Sequence, residues 1–204
     1  MRINRFAKIS FIDFVKSNSM LLFQYFVFLI SFIFGSLTVH YGYAFDTNDE
    51  FSKCILGCMS LDFFDSLKSN FLFSLVALCL MMLLAYYPFG APLIVTVTAI
   101  NSMGIGCLMS SVCRYYGAKG LAFNIITFLL PSLLRSILFA TFASVAIFHS
   151  CSLASIALFG NSPINFKQKS KDMLLLYLIL IAASALIAVI AAFLTIFMKD
   201  FLTN

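Results

Sequence analysis

Residues 71–112 read FLFSLVALCL MMLLAYYPFG APLIVTVTAI NSMGIGCLMS SV, and no charged side chain occurs among them. A bilayer crossing takes about 20 apolar residues in a helix rising about 1.5 Å per residue, so the run is about two crossings long. Pro88-Phe89-Gly90-Ala91-Pro92 interrupts it near the middle. Each proline removes a backbone donor and clashes with the turn before it, so one helix stops here and another starts. Residues 71–113 are therefore expected to form a helical hairpin, spans 2 and 3 of an all-α transmembrane bundle.

The remainder of the chain supports that class. Hydrophobic residues make up 62% of the 204 and charged residues only 10%, too few to cover a soluble domain of this size. Residues 20–39 are apolar except for Gln24 and a few hydroxyls, about 30 Å of helix, and form span 1. Gly42-Tyr43-Ala44 resembles a signal-peptide cleavage site, but the apolar run before it is longer than the usual 7–15 residues or so, which favours a retained span. Residues 173–198 form span 5.

The apolar pattern of residues 121–159 is too long for one straight crossing, and Pro131 divides it. A broken helix is expected there, a half-helix followed by span 4. The count is about five spanning helices plus that half-helix.

Charge sets the orientation. The net charge is +5, but the 13 basic residues are scattered in short flanks rather than gathered in a patch, so they read as topology signals and not as a nucleic-acid surface. Residues 1–19 carry Arg2, Arg5, Lys8 and Lys16, as a basic interfacial helix or a plain charged flank, and Lys167, Lys169 and Lys171 precede span 5. Both segments are expected in the cytoplasm, with the N-terminus in and the C-terminus out. Residues 40–70 form an acidic extracytoplasmic loop domainlet bearing Asp46, Asp49, Glu50, Asp62 and Asp65, with Thr47 or Asn48 as helix caps. Tyr41/Tyr43, Tyr86/Tyr87 and Tyr115/Tyr116 sit near span ends, where aromatic belts form.

Few side chains suggest chemistry. No carboxylate falls within a span, which weighs against an ion-coupled pump. Arg135 is the one ionisable residue inside an apolar run. It either accepts a functional role, held by backbone carbonyls that the Pro131 break frees, or snorkels to the outer interface. Cys54 and Cys58 are spaced i,i+4 and expected outside with Cys113, open to a disulfide or metal pair, but structural filler is the simpler reading for all six cysteines. Gly104 and Gly106, then Gly117 and Gly120, supply small surfaces for packing within the chain or for self-association, so a homo-oligomer is one reading. Nucleotide, zinc and nucleophile motifs are absent, and neither catalysis nor a cofactor or metal is expected.

Gly90-Ala91-Pro92, Gly104, Gly106, Gly117, Gly120 and Leu130-Pro131 together resemble, in order and approximate spacing, the stage II sporulation protein M family of small five-span bacterial membrane proteins. Ser132-Leu133-Leu134-Arg135 departs from the family pattern, which has amide or apolar residues there. The resemblance implies a non-enzymatic scaffold in the bacterial cytoplasmic membrane, recruiting peptidoglycan hydrolases at the septal membrane during engulfment. Under it the acidic domainlet is the expected docking place for these extracytoplasmic partners, and the lipid bilayer is the other partner. The alternative is a permease or transporter subunit with a solute path at Pro131 and Arg135.

Overall fold

The computed structural model describes residues 18–41, 63–159 and 166–198. The N-terminal basic segment, Asp46, Asp49, Glu50, Asp62, Cys54 and Cys58 lie outside the described residues. The elements are α1 (Ser19–His40), α2 (Phe63–Ala85), α3 (Gly90–Asn124), a π-helical turn (Ile125–Leu129), α4 (Leu130–Phe159) and α5 (Phe166–Phe197), and among the described residues there is no strand. Among the described residues, five helical stretches are long and apolar enough to cross a membrane: Ser19–His40, Phe63–Ala85, Gly90–Arg114, Tyr116–Phe159 and Ser170–Phe197. The protein is an all-α, multi-pass bundle.

A turn over residues 86–89 joins α2 to α3, tied by Tyr87 N–H to Leu84 O and Gly90 N–H to Tyr87 O, both at 3.0 Å. Pro92 stands in the first turn of α3, where a missing N–H costs nothing because no intrahelical acceptor is waiting for it. α2 starts at Phe63, eight residues before the expected Phe71. Asp65 lies in its first turn, where the helix dipole favours a carboxylate, and the extension carries Asn70 out of the supposed loop and into the bundle.

The return after Arg114 is tighter than a loop. Residues on both sides of Gly117 are helical, and Gly117 alone departs, at φ 56 and ψ −130. Side chains disfavour that conformation, so a single glycine turns the chain. Beyond it the helix doubles back along α3, and Asn124 Nδ2 donates to Met109 O (2.7 Å) and Cys113 Sγ (3.2 Å).

The discontinuity expected near Pro131 takes a particular form. The helix does not end there. It widens through the π-turn Ile125–Leu129 immediately before Pro131 and continues as α4. A widened turn relieves the clash between the proline ring and the preceding carbonyls, and hydroxyls serve the displaced backbone. Thr127 Oγ1 donates to Phe123 O, and Ser132 Oγ to Leu129 O.

Among the described residues, α2, α4 and α5 pack on one another, α3 packs on α2 and α4, and α1 lies outside, touching only α3 and α4. Contacts along α1 and α3 advance together: Ser102 Oγ donates to Phe28 O, Cys107 Sγ to Gly35 O, and Arg114 Nη1 to Val39 O. The two helices therefore run parallel, as first and third spans of an up-and-down bundle must. A Cβ on Gly35 would land on the Met103 carbonyl, and one on Gly106 on the Phe32 carbonyl, so the backbones touch. Lipid is as apolar as leucine, and such close approach with interhelical hydrogen bonds is what holds membrane helices together.

Two apolar clusters fill the interior. One, around Leu78, Met81, Ile94, Phe139 and Phe142, lies toward the Pro88 end of the bundle. The other, formed by Leu108, Val112, Phe123 and Phe128, lies toward the Arg114 end. A polar layer separates them, because on α3 buried Thr98, Asn101 and Ser102 fall between Ile94 and Leu108, and on α4 buried Arg135 and Ser136 fall between Phe128 and Phe139.

Candidate functional site

The polar layer is centred on Arg135. Its side chain is 7% exposed, so it does not snorkel to the interface as one expectation held. It points inward to α2, where Nη2 donates to Asn70 Oδ1 at 2.6 Å and to Asn70 O at 3.3 Å. Two acceptors are thus supplied by a neighbouring helix. Asn70 is itself held: its Nδ2 donates to Ser66 O (2.8 Å) and Ser66 Oγ (3.3 Å), and Ser74 Oγ donates to its carbonyl (3.1 Å). The amide can serve two masters because its oxygen accepts from the cation while its nitrogen donates down its own helix.

A guanidinium at this depth is costly, and in membrane proteins such a charge faces the bundle interior and pairs with polar groups. Here the pairing is charge-assisted at the shorter contact, the strong kind of hydrogen bond. A cavity of about 30 Å³ adjoins Arg135, lined also by Asn70, Gly104, Pro131 and Ser132. That is about the volume of one water molecule.

The structure thus brings three of the sequence candidates together, Gly104, Pro131 and Arg135, around one small cavity. It separates the others. Gly106 faces α1, Gly117 and Gly120 form the return beyond Arg114, and Gly90 and Pro92 open α3 at the opposite end. Asp65 is exposed on the first turn of α2. No protein-family model, curated protein or solved structure matches this chain.

Asn70, the partner of Arg135, falls within the expected 40–70 domainlet, where Asp65 and Lys68 mark the aqueous side. The signal for it was the spacing Ser66, Asn70, Ser74, which puts three small polar groups on one face of a helix. Gln24 and Asn101 are buried, and neither amide meets a hydrogen-bond partner among the described residues. At the Pro88 end, His149 Nδ1 donates to Ala85 O (3.1 Å) and Ser150 Oγ to Tyr87 O (2.7 Å), so α4 holds the last carbonyl of α2 and one carbonyl of the turn that follows it. Among the described residues no group of three or more His, Cys, Asp or Glu side chains is placed to hold a metal, and Cys79, Cys107, Cys113 and Cys151 are free thiols.

Proposed function

We propose that this protein is a non-enzymatic scaffold of a bacterial cytoplasmic membrane, with its N-terminus in and its C-terminus out, that positions peptidoglycan hydrolases at the septal membrane during engulfment. The observation that carries the scaffold reading is that Arg135 is buried and paired with Asn70. A transporter needs a path for its solute beside the break, whereas Asn70 occupies the guanidinium and the adjoining cavity has room for about a water molecule. The close α1–α3 seam likewise favours a rigid platform over a rocking bundle. The class of partner comes from the resemblance through Gly90, Pro92, Gly104, Gly106, Gly117, Gly120 and Pro131, and Asp65 is the one docking candidate within the described residues.

Deletion in the source organism, followed by membrane-dye microscopy under sporulating conditions, tests the biological role: engulfment should stall, and normal engulfment would exclude it. Proteoliposomes test the scaffold class, and should show no solute flux above protein-free vesicles. Flux abolished by Arg135→Ala would instead establish the permease.

The orientation rests on Arg2, Arg5, Lys8, Lys16, Lys167, Lys169 and Lys171 on one side against the acidic 40–70 segment on the other. An impermeant thiol reagent added to intact cells should label Cys54, Cys58 and Cys113. Labelling of Cys151 in their place would reverse the topology.

A further inference from the structure

A groove of about 460 Å³ lies between α4 and α5 near the Pro88 end, and its size is in the range of small-ligand sites. Ser152 on α4 and Asp172 on α5 line one end of it. Val145 and Ile179, each seven residues further along these antiparallel helices, line the other, about 10 Å deeper in the bundle. Phe148 and Leu175 line it too and are each 60% exposed, so its long side opens to the bilayer. His149, bonded to Ala85 O, forms part of the wall behind, and Tyr86 Oη meets Ser170 Oγ at 3.1 Å, joining the start of α5 to the α2–α3 turn.

The polar end is built to accept hydrogen bonds. Among the described residues a single carboxylate, Asp172, lines the groove, and no Lys or Arg joins it. Gln168 Nε2 donates to Asp172 Oδ1 at 3.1 Å, which steadies the carboxylate and leaves Oδ2 to accept. Ser152 Oγ gives its proton to Phe148 O at 2.8 Å, and His149 gives its Nδ1 proton to Ala85 O, so neither proton is available to an anion in the groove. An occupant that suits this end brings positive charge and N–H donors, and a primary ammonium has three. The deeper end, between Val145 and Ile179, calls for hydrocarbon. We infer that the groove holds one phosphatidylethanolamine molecule, its ammonium donating to Asp172 Oδ2 and Ser152 Oγ, its phosphate in the headgroup layer outside the groove, and one acyl chain along Val145, Leu176 and Ile179. Phosphatidylcholine carries the positive charge without an N–H donor, and phosphatidylglycerol brings net negative charge toward a carboxylate. The inference does not depend on the scaffold role, because it concerns only how the bundle meets its membrane.

Full-length protein in nanodiscs of equimolar phosphatidylethanolamine, phosphatidylglycerol and phosphatidylcholine, released gently and weighed by native mass spectrometry, tests it. One phosphatidylethanolamine should be retained with roughly threefold preference over each of the others, the scale that an exposed ion pair supports. Asp172→Asn, at an exposed position where folding is not at stake, should abolish the preference. Val145→Trp, which fills the groove, should remove the retained lipid, while Leu83→Trp on the exposed face of α2 leaves it. Equal retention of the three lipids overturns the inference, as does a preference for phosphatidylglycerol or phosphatidylcholine. A phosphatidylethanolamine preference that survives either Asp172→Asn or Val145→Trp overturns it as well, since the lipid would then be held elsewhere on the bundle.

Discussion

Gly106→Leu is expected to detach α1 from the bundle. The first atom of any side chain at this position falls on the Phe32 carbonyl, a backbone group that cannot move aside, so α1 and α3 must separate. Overpacking of this kind costs about 1–3 kcal/mol, and separation also removes the hydrogen bonds from Ser102, Cys107 and Arg114 to α1, worth about 0.6 kcal/mol each in a bilayer. The sum is about 3–5 kcal/mol, and α1 has no other large contact to offset it. Thr38 Oγ1 lies 3.4 Å from Cys107 Sγ, so Thr38→Cys should crosslink readily to Cys107 under mild oxidation in the parent protein. The crosslink should disappear when Gly106→Leu is added, and persist when the exposed Ile100 is changed to Leu instead. Undiminished crosslinking in the Gly106 variant would mean that the seam is not held by backbone contact.

The second large effect concerns the polar layer, and its sign depends on which partner is removed. Asn70→Leu takes away the 2.6 Å acceptor of a guanidinium that stays buried, and hydrogen bonds to charged groups contribute about 1.5–3 kcal/mol. Arg135→Met removes the charge itself and costs only one donor to the neutral Asn70 oxygen, so the loss should be smaller, about 1 kcal/mol. The double variant should then be more stable than Asn70→Leu alone. Thermal unfolding in detergent micelles reads all three. Strictly additive effects would show that the two residues are not energetically linked and that Arg135 finds its stabilisation elsewhere in the layer.

The span pattern was legible because lipid imposes it: charge-free runs of bilayer length, prolines between them and lysines beside them survive any detail of packing. Boundaries were less so. Asp65 and Lys68 suggested that α2 begins at Phe71, yet a helix can carry its first turns at the interface, and the chain gains Asn70 for the interior by doing so. Pro131 announced an irregularity but not its kind, since a π-turn and a helix end both relieve a proline and only the following residues, helical through Phe159, distinguish them. Arg135 was visible as an anomaly; its partner was not, because the contact spans 65 residues of sequence and depends on how α2 and α4 are rotated against each other.

The parallel seam between α1 and α3 has a consequence for the order in which the chain is made. Gly35 leaves the ribosome 72 residues before Cys107, the residue that donates to its carbonyl. At about 5–20 residues per second, α1 waits roughly 4–14 s in the bilayer before its partner is synthesised. Its mean hydropathy of 2.1 makes it a self-sufficient insert during that wait, though Gln24 spends the interval facing lipid or the insertion machinery. α2 must also insert in the meantime without capturing α1, and the bundle is consistent with that, since the two share no interface among the described residues.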